Sequence, residues 1–496
     1  MTLTDNPLFQ AVKSHLDHML KFGRPVVDGE QSPLFAGVID VGTQQPRLAL
    51  CPPPPGIRIT DFNWCGNNLM HDIPMLEALN AMTTLTGETQ YATSVDELYA
   101  YYVKHCPHPK TGLFPWREHA QWSFADKEIL PCSFNDGLRS FREFDYIIHD
   151  HLLHAPAFFW EGMAKHSVET IRKFAHGLNG HIVDEKTFEH NRHGTLTGAW
   201  WRDPKNPDFD MGKDFARHAG FFIFDCLFAF KKSGDASLVD WARRKLKWHL
   251  DHRFDNGIIK GCVRSKAENQ EGHHDSLALS IAEAADVLGR DTPEGAEFGA
   301  IADEMLEARK KQQQDVEIST PDVPGDERLW ITGYMRKHHA VYHLPPGNVT
   351  YLVHQRNNCP KYAELLTRTA DWLIDNLSAP PEKLQVMART YYIHIDRLVA
   401  AYLVDPQPKY LQKARQVADW AIHDLFKNGM FTGMSNLSIY SYGVNFEWHF
   451  DQWAEPTTPG YYYSITNTPT LVRTLLHVAL LEEKQDDILG IDLTRR

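Results

Sequence analysis

Apolar residues recur along the chain at helical spacing from close to its start. Between Met1 and Gly23, the positions Leu8, Phe9, Val12, Leu16, Met19 and Leu20 share one side of an amphipathic helix. Further on, one arrangement returns four times. Leu85-Thr-Gly-Glu-Thr-Gln-Tyr91 is followed by Tyr101 and Gly112-Leu-Phe114. Ser233-Gly-Asp235 and Leu238 are followed by Trp248 and Gly257-Ile-Ile259. Tyr362 is followed by Trp372, and Asp405-Pro-Gln-Pro-Lys-Tyr410 by Trp420 and Gly429-Met-Phe431. In each unit a helix ends in a short polar turn, an aromatic or leucine packs as the next helix begins, and a glycine stops it. No such hairpin buries its apolar face alone, so the units are expected to pack side by side around one core.

Two stretches, Leu277 to Leu288 and Thr470 to Leu481, are apolar on most sides and predict inner helices; Gly289 ends the first. Alternating patterns are scarce, so any strands should be short and peripheral. The expected fold is all-α, an (α/α) toroid or barrel of repeated hairpins, with residues 1–496 forming a single catalytic domain. The loops Cys51-Pro-Pro-Pro-Pro-Gly56, Asn206-Pro-Asp-Phe-Asp210 and Val316 to Glu327 should rim one mouth.

Composition narrows the partners. With 43% hydrophobic and 23% charged residues, the chain can bury a large core in water. It has no run of eighteen apolar residues and no secretory-type leader pattern, which predicts no membrane partner and a cytoplasmic location. A net charge of −13 disfavours nucleic acid and means that an acidic substrate needs a local cationic patch. Seven scattered cysteines without a CxxC predict reduced, buried thiols. Oligomeric state is not legible.

The chemistry concentrates in two stretches. Twelve of the 27 histidines lie between His105 and His218, in groups such as Trp116-Arg-Glu-His119, His149-Asp-His151, His154 and Asn191-Arg-His-Gly194. Imidazole and carboxylate together suit a divalent transition ion, but they equally suit hydrogen-bonded structural histidines. The second stretch, Tyr440 to Pro456, interleaves aromatics with Asn445, Glu447, His449, Asp451 and Glu455, and Tyr461 to Tyr463 follow it. It reads either as a sugar-binding wall, in which rings stack on pyranose faces and polar groups bind hydroxyls, or as a closing segment packed by its aromatics with the acids solvated. Trp116, Glu118 and Trp448 join Asn445, Glu447 and Asp451 as expected substrate contacts. Gly272-His-His-Asp-Ser276 precedes the Leu277 helix, and Asp275 or Ser276 is expected to cap it. Trp200-Trp-Arg-Asp203 and Arg217-His218 are further cleft candidates. Serine-hydrolase and nucleotide-binding motifs are absent.

The order of several motifs resembles the family-2 pectate lyases (exopolygalacturonate lyases). These are Phe22-Gly, Ser32-Pro-Leu-Phe-Ala-Gly-Val-Ile-Asp40, Leu85-Thr-Gly-Glu, Gly112-Leu-Phe-Pro-Trp-Arg-Glu-His119, His149-Asp150 to Pro156, and Asn191-Arg-His-Gly194. The resemblance implies a helical toroid that cleaves galacturonate-like oligosaccharides by β-elimination with a divalent metal, Mn or an ion such as Ni, Co or Ca. It further implies His119, Asp150 and His193 as metal ligands and Arg192 as the catalytic base. Two departures stand out: the family has Glu where Asp150 stands, and 31 positions separate His119 from Asp150. Either Gln121 to Ile148 is an insertion, or Glu143 or His151 is the acidic-site ligand. Arginine is a poor base because it stays protonated, so Arg192 is better suited to clamping a carboxylate. A glycoside hydrolase using two of Glu118, Glu161, Glu447, Asp451 and Glu455 is the alternative. A non-catalytic carbohydrate-binding protein is the second alternative.

Overall fold

The computed structural model describes residues 3–48, 57, 63, 66–116, 119–132, 147–198, 214–263, 271–314, 329–330, 344–382, 384–435, 460–485 and 488–494. Fourteen α-helices lie among them. They are α1 (Pro7–Phe22), α2 (Leu69–Thr86), α3 (Gln90–His105), α4 (Ala157–His166), α5 (Val168–Gly177), α6 (Ala216–Ser233) and α7 (Ser237–Asp251). The remainder are α8 (Glu271–Leu288), α9 (Pro293–Gln314), α10 (Gly347–Asn357), α11 (Pro360–Asn376), α12 (Ala388–Val404), α13 (Pro408–Leu425) and α14 (Thr468–Glu482).

Burial divides these helices into two rings. α14 is buried at every position from Thr468 to Leu481, and α6 is buried from His218 to Ala229. Such helices have no face for solvent and belong inside. In α13, by contrast, only Tyr410, Ala414, Val417, Ala418, Ala421 and Leu425 are buried, a single stripe at helical spacing. The even-numbered helices form the inner ring: α4, α6, α8, α10, α12, α14 and α2 touch in that order, and α3 links α2 back to α4. The odd-numbered helices pack outside them. This is the (α/α) toroid that the hairpin repeat predicts. The turns between paired helices behave as read, but the closing glycines do not stop the second helices: α3, α7 and α13 end at His105, Asp251 and Leu425, ahead of Gly112, Gly257 and Gly429. Gly87 and Gly234 end α2 and α6 in the left-handed conformation (φ 74° and 73°), and their N–H groups donate to Thr83 O and Phe230 O. Pro360 and Pro408 occupy first turns, where a missing N–H costs nothing.

The ring closes on itself at a seam. α1 packs on α14, and the strand Tyr461–Tyr463 pairs antiparallel with Val38–Asp40, Tyr462 opposite Ile39. Asn6 caps α1 through Leu8 N (2.9 Å) and also donates to Glu482 (2.8 Å). Residues 488–494 then run against the inner ring. Arg473 of α14 donates to Gly490 O (2.7 Å), Asn348 of α10 to Asp492 O (3.2 Å), and the backbone of His154 to Thr494 O (3.2 Å). Leu489, Asp492 and Thr494 are almost wholly buried there.

Strands among the described residues are two to four residues long. The cysteines Cys106, Cys132, Cys226, Cys262 and Cys359 are free and buried, as expected. The loops at 51–56, 206–210 and 316–327 and the whole stretch 440–456 lie outside the described residues.

One local expectation, the helix cap at Asp275 or Ser276, is corrected. α8 begins at Glu271, so Asp275 lies within the helix rather than capping it. Its carboxylate instead accepts from Arg309 Nε (3.1 Å) and Tyr362 OH (3.3 Å), and Ser276 also falls inside the helix.

Candidate metal centre

Two short strands, Ile148–Asp150 and His193–Thr195, form an antiparallel ribbon with His193 opposite Asp150 and Gly194 opposite His149. Directly opposed residues on a ribbon point the same way, so the pairing itself brings Asp150 and His193 together. Asn191 prepares the turn into the second strand: its Oδ1 accepts from His193 N (2.9 Å). The third member, His119, comes from the residue before the strand Ala120–Ser123. Its backbone is left-handed (φ 78°), an unusual conformation for a side-chain-bearing residue and one that concentrates at functional sites.

One ligand atom from each of His119, Asp150 and His193 lies within 4.8 Å of the others. Asp150 Oδ2 is 3.5 Å from His193 Nε2 and 3.8 Å from Arg192 Nη2, and Oδ1 is 3.9 Å from His218 Nε2. The His119 and His193 rings meet edge to face, 5.1 Å between centroids. Asp150 is fully buried, His193 nearly so, and His119 half-buried.

The electrostatics follow from that packing. Burial alone would push the Asp150 carboxyl up, but Arg192, His193 and His218 outweigh it and hold the group well below the usual carboxylate range. Burial, with Arg192 alongside, lowers His193 to about 3, so its imidazole is neutral. Burial also drives His218 well below its ordinary value, with Arg217 adding to the effect. The result is an ionised carboxylate among neutral imidazoles. Among the described residues, the polar groups nearest the Asp150 oxygens stand 3.5–3.9 Å away, at or beyond the limit of a hydrogen bond. An ionised, buried carboxylate left in this state is costly unless a cation completes it. Two imidazoles and one carboxylate at this separation therefore fit a single divalent transition ion.

The remaining expectations divide. Arg192 stands beside the cluster. His151, the alternative ligand, points to the opposite side of its strand, where its Nε2 lies 2.6 Å from Asp225 Oδ2. Trp116 is corrected: it is fully buried among Phe114, Phe159, Trp160 and Phe174 and stacks on His149, so it has no surface for a sugar. Glu161, one of the candidate hydrolase acids, is an exposed residue paired with Lys232 (2.7 Å). Glu118, Glu143, Asn445, Glu447, Trp448, Asp451 and Glu455 lie outside the described residues. Sequence reasoning missed His181 and Asp225, which bind the back of the ribbon. The alternation in His149-Asp-His151 was the available signal, because a strand sends its middle residue to one face and its neighbours to the other.

A model of the family described as periplasmic pectate lyase matches residues 32–277, which include the whole ribbon and His119. No curated protein matches the chain. Among solved structures, the chain is similar to cellobiose 2-epimerase from Bacillus thermoamylovorans B4167. That match has 9% identity and a TM-score of 0.41, and covers 96% of this chain and 100% of the other. It is also similar to the GH76A alpha-1,6-mannanase from Salegentibacter sp. HEL1_6, with 9% identity, a TM-score of 0.37 and coverage of 94% and 97%. At these values the structural likenesses say nothing about this chain's chemistry. The family match supports an enzyme acting on carbohydrate and does not separate lyase from hydrolase.

The expected cytoplasmic location is overturned by the same match, because the family is described as periplasmic. Composition and cysteine usage could not separate those compartments. Among the described residues, no helix is long and apolar enough to cross a membrane.

Proposed function

We propose that the chain is a uronate lyase related to the periplasmic pectate lyases, cleaving galacturonate-like oligosaccharides by metal-assisted β-elimination. The observation that carries this reading is the convergence of His119, Asp150 and His193, with Arg192 alongside. In β-elimination a base takes the proton α to the uronate carboxylate, the C–O bond from the β carbon to the leaving sugar breaks, a C=C bond forms between the α and β carbons, and the departing sugar oxygen takes up a proton as it leaves as a hydroxyl. The difficulty is the negative charge that builds on the carboxylate as the proton departs. A divalent ion held by the three ligands would supply Lewis-acid neutralisation of that charge.

Arg192 presents a planar fork suited to gripping the same carboxylate in a bidentate pair. Asp150, 3.8 Å away, favours the cationic guanidinium. That suits a clamp and opposes the role of base implied by the family resemblance. Burial around Asp150 and His193 excludes water, which strengthens these charge interactions.

The test is to incubate the protein with oligogalacturonates, with added Mn²⁺ and separately with chelator, and follow ultraviolet absorbance of the unsaturated product. Metal-dependent absorbance that vanishes with chelator is the expected result. Reducing sugar released without absorbance would replace the lyase with a hydrolase.

A further inference from the structure

The back of the ribbon is built as carefully as its front. Strand alternation turns His149 and His151 away from Asp150. His149 Nδ1 lies 2.8 Å from His181 Nε2, and His181 Nδ1 lies 2.9 Å from the carbonyl oxygen of Asn191. A carbonyl can only accept, so His181 carries its proton on Nδ1. Buried and neutral, it leaves Nε2 bare, and the bond to His149 must then be donated by His149 Nδ1–H. Both hydrogen-bond directions are thus fixed by the one group that has no choice.

Three features show how tightly this pair is placed. A Cβ on Gly194 would lie 2.8 Å from His181 Nε2, so the ring fits only against glycine. Asn191 accepts from His181 through its backbone carbonyl, while its side chain holds His193 N (2.9 Å). One residue further along the strand, His151 is anchored to Asp225, which also receives Trp160 Nε1 (2.8 Å). Asp150 is therefore bracketed by two tethered imidazoles, and one of them ties its strand to the turn that presents His193.

We propose that His149 and His181 are positioning residues, a donor-ordered imidazole pair that sets the separation and orientation of Asp150 and His193. The proposal rests on the metal reading above, and outer partners of this kind typically change metal affinity about 10–100-fold. It makes the Asn191-Arg-His-Gly194 motif a unit with four separate jobs: turn, clamp, ligand and clearance for His181.

The test has two arms. Nitrogen NMR on the ion-free protein with labelled histidine, assigned by His149→Leu and His181→Phe, should show Nδ1–H tautomers for both residues. An Nε2–H tautomer at either overturns the ordering. Calorimetric titration with Mn²⁺ should then show His149→Leu binding about 10–100-fold more weakly than wild type. His149→Asn keeps a donor at the Nδ1 position and should recover most of that loss, which a merely structural role would not explain. Wild-type affinity in a folded His149→Leu protein overturns the positioning role. If that variant does not fold, His181→Phe, which keeps the ring shape and removes both hydrogen-bonding nitrogens, replaces it with the same criterion. Absence of Mn²⁺ binding in wild type would remove the metal reading, while the nitrogen shifts still decide the pair separately.

Discussion

Two aspartates in this ring, Asp150 at the ribbon and Asp396 on α12, show how little burial alone decides. Removal from water pushes both carboxyls up. Asp150 nevertheless ends far below its ordinary value, whereas Asp396 rises to about 7. Asp396 accepts from Asn348 N at the start of α10 (2.9 Å) but shares its surroundings with Asp492. The nearby guanidiniums are committed elsewhere: Arg397 donates to Pro345 O and Leu344 O, and Arg473 to Glu77 and Gly490 O. Asp150 has Arg192 and two imidazoles around it and no neighbouring acid among the groups that shift it. One carboxylate is kept ionised with its oxygens open; the other is used as structure and approaches neutrality. The charge state of a buried carboxylate is set by the cations and acids around it, not by burial alone.

The sharpest way to break this comparison is Asp150→Asn. The amide keeps the shape and removes the charge, so Mn²⁺ affinity should fall at least about 100-fold by calorimetry. Binding close to wild type would mean that the open carboxylate is not the ligand. A smaller effect is expected from Gly194→Ala, which forces a methyl into the His181 ring. Overpacking of this kind costs about 2–3 kcal/mol, readable as a lower urea midpoint, with weakened Mn²⁺ binding alongside.

The smallest effect belongs to Asp396→Asn. Because the folded carboxyl titrates near 7 rather than 3.8, the folded protein keeps a proton that the unfolded chain has lost. The linked stability is full below about pH 4, falls as pH rises, and is gone above about pH 7. The asparagine variant should lack that slope and be relatively more stable at pH 8, by about 1–2 kcal/mol after allowing for partial exposure. Urea unfolding at pH 5 and pH 8 measures it. Parallel pH dependence in both proteins would show that Asp396 is already ionised at neutral pH.

The hairpins were legible because their signals are local. A turn glycine, an aromatic at the next helix start and a stripe such as Tyr410 to Leu425 all lie within one helical unit. The metal-centre residues were legible only as motifs, since His119 and the ribbon meet through tertiary pairing. Their back-face partners were not: His181 and Asp225 lie 32 and 74 positions from the histidines they hold. Trp116 misled because it stands three residues from His119, although its ring turns into the aromatic core. Asp275 misled in the same way, since the charge partner that makes it tolerable inside a helix, Arg309, comes 34 positions later.

The seam between α1 and α14 sets the timing of assembly. A growing chain completes the ribbon when less than half of its length has been made, yet α1 and Val38–Asp40 must wait for residues 461–482. Until then the polypeptide is an open arc whose inner helices have no enclosing partner. Shortening the chain ahead of residue 461 should therefore yield an aggregating fragment rather than a smaller working enzyme.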